Sequence, residues 1–190
     1  IGAINNDGNG SNAGHVRVYQ RDATNSIGWR QLGGDIDGEA TGDRSGRSVS
    51  LSSDGTIVAI GATFNDGNGN FSGHVRVYET STIGWTQLGS DIDGKAAYIH
   101  SGQSVSLSSN GLTVAIGASQ EAGKGVNRGD VRVEEFNDTN LDGNLNEWTQ
   151  LGGDIYGEAF QDNSGYSVSL SSNGLTVAIG AFKEPDMGEP

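Results

Sequence analysis

Oxygen-bearing side chains alternate along one short stretch of the chain: Asp138, Asn140, Asp142, Asn144 and Asn146 take every second position, with Gly143 in the middle. Calcium needs about six to eight oxygen ligands, and this spacing lets one tight loop wrap an ion, with glycine at the sharp bend and a main-chain carbonyl donating near its centre. Ca2+ is therefore the cofactor expected here. A helix-flanked calcium loop would need a bidentate glutamate where Thr149 stands, and the last of the alternating ligands is the neutral Asn146. The site is weak unless Glu147 or Glu135 adds a carboxylate. The competing reading is a polar hairpin loop built of turn-forming residues.

Other polar groups recur along the chain. Asp35, Asp37 and Glu39 lie together in "DIDGE", and later copies supply Asp91, Asp93 and Lys95, then Asp154, Tyr156 and Glu158. Paired carboxylates can act as acid and base on a glycoside. Arg17, Arg76 and Arg132 recur in step with them, so repeated Asp–Arg pairing is the better account. "NDGNG" at Asn6 and Asn65 is spelled like a metal or phosphate loop, but its third copy, "EAGKGVNRG", keeps only the Gly-x-Gly spacing. Those glycines serve backbone geometry. No helix follows them, which excludes a dinucleotide fingerprint. His15 and His74 share a position that is Asp130 in the third copy, and His100 stands alone, so neither a triad nor a zinc site is assembled. Trp29, Trp85 and Trp148 could stack on sugars, yet one large aromatic per unit reads as the packing anchor between units.

Composition narrows the class. The formal charge is −13, which disfavours nucleic acid and anionic membrane as partners and suits divalent cations. There is no cysteine, so disulfides and thiol chemistry are excluded. No apolar stretch is long enough to span a bilayer, so membrane insertion is not expected. The 32 glycines against 2 prolines, set among Val, Ile, Thr and Ser, point to many short strands joined by tight turns.

The elements that must carry these groups repeat. Residues 29–62, 85–118 and 148–181 align without a gap, and "GHVRVY" at Gly14 and Gly73, or "GDVRVE" at Gly129, falls between them. A period of this kind means units that bury their faces only against neighbours. Within one unit "SVSLS" alternates, Val49 and Leu51 on one face and Ser48, Ser50 and Ser52 on the other. "TIVAIGA" is a strand-length apolar run, as for a strand covered on both sides. "SSDG" or "SSNG" between them is a strong hairpin signal. With "HVRVY" and "WTQLG" there are four antiparallel strands per unit, the blade of a β-propeller.

"SGRSVSLSSDGTIVAIGA" followed by "GHVRVY" resembles the FG-GAP repeat of integrin α-like β-propellers and of many secreted microbial and algal proteins. The resemblance covers nearly the whole chain. Ser45, Ser101 and Ser164 stand where the family has its name-giving Phe, and no proline follows Ala62, Ala118 or Ala181. The family's calcium loop joins the first two strands of a blade; here that connection is the short "SSDG" or "SSNG", and the Asp138 loop instead joins "VRVEEF" to Trp148.

The expected fold is all-β: 1–190 forms a β-propeller segment of about three four-stranded antiparallel blades. It is either part of a larger propeller or completed at its open ends by other copies of itself. The resemblance implies a non-enzymatic scaffold for adhesion or recognition, extracellular or at the cell surface, with a protein or glycan ligand; calcium stiffening the Asp138 loop is expected from that loop's own spacing alone. Two alternatives stand beside it: a lectin-like propeller with sites repeated between blades, and a structural protein that self-associates through open blade edges.

Overall fold

The computed structural model describes residues 1–119, 128–137 and 147–182. Regular structure there is entirely β, and no helix among the described residues is long and apolar enough to cross a membrane. The first unit holds β1 (Gly2–Ala3), β2 (His15–Val16), β3 (Tyr19–Arg21), β4 (Trp29–Gln31) and β5 (Ile36–Asp37). The second holds β6 (Ser48–Leu51), β7 (Ile57–Ala62), β8 (His74–Ser81), β9 (Gly84–Gln87) and β10 (Ile92–Asp93). The third repeats it as β11 (Ser101–Leu107), β12 (Thr113–Ala118), β13 (Asp130–Asn137), β14 (Glu147–Gln150) and β15 (Ile155–Tyr156). A last pair, β16 (Ser167–Leu170) and β17 (Val177–Gly180), begins a fourth. The chain is an all-β propeller segment with two complete blades and a partial blade on either side.

Each complete blade is an antiparallel meander, β6-β7-β8-β9 and then β11-β12-β13-β14. The register repeats: Ser48 faces Gly61 in one blade and Ser167 faces Gly180 in the last. The hairpin between the first two strands closes on its own side chains. Asp54 Oδ1 accepts from Ser52 Oγ at 2.7 Å and from Thr56 N at 3.0 Å, and Gly55 takes the left-handed conformation at φ 73°. Asn110 closes the next turn in the same way. A fifth strand of two residues, absent from the four expected, lies across the start of the third: β10 pairs with β8 and β15 with β13. Two residues between glycine-rich turns are too few to show alternation, so "DID" reads as a turn from sequence.

β11 packs against both β6 and β16, which makes these first strands the inner edges of successive blades. Serines stitch them together. Ser50 Oγ accepts from Leu107 N at 2.9 Å, Ser106 Oγ accepts from Leu170 N at 2.9 Å, and Ser48 Oγ donates to Gly102 O at 2.8 Å. Glycine is required beside them: a Cβ on Gly61 would stand 2.1 Å from Gly102 O. Outside this seam lie two apolar cores, one per joint. Val16, Val18 and Ile36 of the first blade meet Val58 and Ile60 of the second. On its other face the second blade brings Ile57, Ala59, Val75 and Val77 against Val105, Leu107, Val114 and Ile116 of the third. β7 is thus buried on both sides, as its unbroken apolar run implied.

Candidate recognition surface

The expected Asp–Arg pairing holds in two blades and changes partners in the third. Arg17 makes a bidentate contact with Asp35 at 2.9 and 2.8 Å, and Arg76 binds Asp91 at 3.0 and 3.2 Å. Gln31 and Gln87 donate to the same carboxylates. Glu39 crosses from the first blade to Arg76 of the second. At the next joint the crossing residue is Lys95, which binds Asp154 of the third blade. Arg132, relieved of that aspartate, lies 3.4 Å from Glu134 and donates to Asp93 O at 2.9 Å. Glu134 takes the place of Tyr19 and Tyr78, so the released cation meets a new carboxylate.

Glu39, His74 and Asp91 bring ligand atoms within 4.8 Å of one another. Arg76, bonded to both carboxylates, supplies there the positive charge that an ion would bring. His74 is buried, its Nδ1 has no hydrogen-bond partner, and burial together with the Arg76 charge pushes its pKa down. The group joins one blade to the next through Glu39 and Arg76.

The "NDGNG" loops are turns. Asn65 Oδ1 accepts from Gly67 N at 2.8 Å, Asp66 Oδ1 from Phe71 N at 2.7 Å, and Asn68 Nδ2 donates to Gly94 O at 2.8 Å. Asn6, Asp7 and Asn9 repeat these roles in the first blade. Trp85 and Trp148 anchor blade to blade, as expected, while Trp29 is 52% exposed. Trp85 Nε1 donates to Leu32 O at 2.9 Å and Trp148 Nε1 to Leu88 O at 2.8 Å. Beside each lies a polar cleft, of about 230 Å³ with Asp35 and Ile36 and of about 270 Å³ with Asp91 and Ile92.

One constellation occurs once. Phe64, Phe71, Tyr98 and His100 gather where two loops of the second blade meet. Phe64 and Phe71 meet edge to face with centroids 5.1 Å apart, Phe71 and His100 stack at 6.1 Å, and Arg44 lies 4.1 Å over the Phe64 ring. Tyr98 is 53% exposed and Phe71 39%. In the first blade these positions are Asn5, Asn12, Gly42 and Arg44. Phe71, Tyr98 and His100 have φ of 52°, 65° and 56°, and Asn12, Gly42 and Arg44 share that left-handed region. The loop geometry therefore belongs to the fold, and glycine or asparagine meets it at least strain. Setting aromatic rings at such positions carries a backbone cost, and all four residues are also partly or largely open to solvent. His100, solitary in the sequence, is a member of this cluster. The signal that could have revealed it is "AAYIH" in the place of "ATGDR" and "AFQDN". The expected calcium ligands Asp138, Asn140, Asp142, Asn144 and Asn146 lie outside the described residues.

No curated protein matches the chain. Among solved structures, a putative 6-phosphogluconolactonase from Bacteroides uniformis is similar at 13% identity with a TM-score of 0.53, over 90% of this chain. The chain spans 45% of that protein's length, and the likeness is one of fold. The family model of the FG-GAP repeat matches residues 36–78, from β5 through the first two strands of the second blade and into its third. Residues 36–78 thus carry an FG-GAP repeat, and the same blade pattern recurs on either side of that match.

Proposed function

We propose that the chain is a non-catalytic recognition scaffold of the adhesion type, working outside the cell or at its surface. The aromatic patch of Phe64, Phe71, Tyr98 and His100 is its contact surface for a protein or glycan. The observation that supports this is the placing of exposed rings at left-handed positions where the sister blade has Asn12 and Gly42. The rings pack on one another yet stay open to solvent at strained positions, and rigid, amphipathic rings suit a binding surface. Asp35, Glu39, Asp91 and Asp154 are engaged in ion pairs, which leaves them poorly placed for acid and base roles. In the same reading calcium stiffens the Asp138 loop.

The test is binding of the chain to a glycan array and to immobilised extracellular-matrix proteins, beside the double variant Phe71→Asn, Tyr98→Gly. Both substitutions install the residue that the first blade carries at the same backbone conformation, so the fold should survive. The expected result is binding by the wild type to one of these probes, weakened at least about tenfold in the variant with its melting temperature nearly unchanged. Equal binding by both proteins would remove the patch from the reading.

A further inference from the structure

Three segments of the chain spell Asn-x-Ser/Thr, the acceptor for an asparagine-linked oligosaccharide: Asn9-Gly10-Ser11, Asn70-Phe71-Ser72 and Asn137-Asp138-Thr139. Three-residue motifs arise by chance, so what separates them is where each side-chain amide goes. The third runs outside the described residues. In the first, Asn9 Nδ2 donates to Gly38 O at 2.9 Å and to Glu39 O at 3.3 Å, so both amide hydrogens serve the fold. A sugar on that nitrogen would replace one of them and push into the loop it closes. Asn68 holds the position of Asn9 in the second blade and keeps its role, donating to Gly94 O at 2.8 Å. Asn70 lies two residues further on and is exposed. Its Nδ2 donates to Tyr98 Oη at 3.3 Å, which leaves the second amide hydrogen without a protein acceptor among the described residues.

The Asn70 motif falls on the aromatic patch. Asn70 O accepts from Tyr98 N at 2.8 Å, which pins the asparagine beside that ring, and Phe71 is the middle residue of the motif. The first blade carries Ser11, Asn12 and Ala13 at these three places, and the third copy carries Val126, Asn127 and Arg128. The acceptor at this position and the ring cluster are thus both confined to the second blade.

We propose that Asn70 is a glycosylation site whose oligosaccharide lies over Phe71 and Tyr98. The inference rests on the extracellular reading, because this modification belongs to chains that enter a secretory compartment. The donor is a lipid-diphosphate-linked oligosaccharide. Asn70 Nδ2 forms a bond to C1 of the first sugar as the bond from C1 to the diphosphate oxygen breaks. The lipid diphosphate leaves with the electron pair, and the amide gives up one proton. The amide hydrogen that remains still serves Tyr98 Oη, so the product keeps the contact that places the asparagine.

Ser72 fixes the timing. It is fully buried, its Oγ accepting from Asn68 N at 3.2 Å and donating to Asn65 O at 3.3 Å. The hydroxyl that completes the motif is therefore open to a transferase only before this loop closes. Once the blade has folded, the first sugars emerge beside Phe71 and Tyr98, 39% and 53% exposed, whose rings suit the C–H face of a pyranose. Occupancy then regulates the contact surface: the bare chain presents rings, and the modified chain presents sugar.

In the test the chain is secreted from a eukaryotic host behind a cleavable signal, and the folded product is digested with peptide N-glycosidase. That enzyme converts each modified asparagine to aspartate, so peptide mass spectrometry reads every site separately. The expected result is a glycan at Asn70, none at Asn9, and a mass that falls to the 19.6 kDa of the bare chain on digestion. Asn70→Ser, which installs the residue of the first blade, should lose that glycan and melt like the digested wild type. Tyr98 in the glycosylated chain should lose most of its reactivity towards tetranitromethane and regain it after digestion. A bare Asn70, or a glycan at Asn9, overturns the assignment. Equal reactivity of Tyr98 in the two forms overturns the covering of the rings. None of these readouts uses a ligand, whereas the contact surface is tested by binding of unglycosylated chain from a bacterial host, so the two readings fail separately.

Discussion

Replacing Trp85 tests whether the recurring tryptophans hold blades together or serve a ligand. Complete truncation of a buried aromatic costs about 3–5 kcal/mol. Trp85 is half-buried against the first core, so its ring contributes about 2 kcal/mol. The Nε1 bond to Leu32 O, 2.9 Å long, adds about 1 kcal/mol. Trp85→Ala is therefore expected to lose about 3 kcal/mol, and Trp85→Phe, which keeps a ring and drops the bond, between about 1 and 2 kcal/mol. For a chain of 190 residues each kcal/mol moves the melting temperature by about 2–4 °C, so the alanine variant should melt about 6–12 °C lower. Urea titration followed by far-ultraviolet circular dichroism measures both variants without relying on the fluorescence that the substitution removes. An alanine variant within about 0.5 kcal/mol of the wild type would refute the anchoring role, and lost glycan binding at unchanged stability would transfer the residue to a lectin site.

Acid should act through the blade carboxylates. Hydrogen bonds from Arg17 and Gln31 hold the Asp35 pKa down to about 2, and those from Ser52 and Thr56 hold Asp54 at about 2. Burial pushes Asp91 and Asp154 up, but the Arg76 and Gln87 bonds on the first and the Lys95, Gln150 and Tyr156 bonds on the second outweigh it and leave both lowered. Groups lowered in the folded state stabilise it fully above their unfolded pKa, near ~4, and lose that contribution as pH falls through the folded value. Denaturant midpoints should hold to about pH 4 and decline towards about pH 2; a midpoint unchanged down to that pH would show that the ion pairs contribute nothing. Calcium at millimolar concentration should raise the melting temperature, and Asp138→Ala should abolish the rise. Absence of a rise in the wild type would remove the ion from the proposal.

Much of the fold was legible because the blade repeats its periodicities. "SVSLS" and "TIVAIGA" are long enough to show alternation and continuous burial, and they became β6 and β7 with the expected hairpin between them. Burial by neighbours was less legible. Val49 and Leu51 are 42% and 48% exposed, whereas Val105 and Leu107 in the same positions are 8% and 7% exposed, because only the latter meet a complete preceding blade. The partner exchange of Arg132 was hidden too. It depends on Lys95 arriving from another blade and on Glu134 replacing a tyrosine, two changes that look unrelated along the chain. The aromatic cluster escaped for a different reason: its members are separated by loops, and each is unremarked by composition until the first blade is laid beside the second.

Near-identical modules in one chain invite misassembly, since any blade face could settle against the wrong neighbour during folding. The ion links between blades counter that hazard. Glu39 requires the arginine that Arg76 presents, while Lys95 requires an aspartate that its own arginine has vacated. Lys95 brought against an Arg76-type face would meet a like charge, and Glu39 brought against Asp154 would do the same. Each joint thus carries a small address, and the order of the modules is written in charge as well as in the chain that connects them.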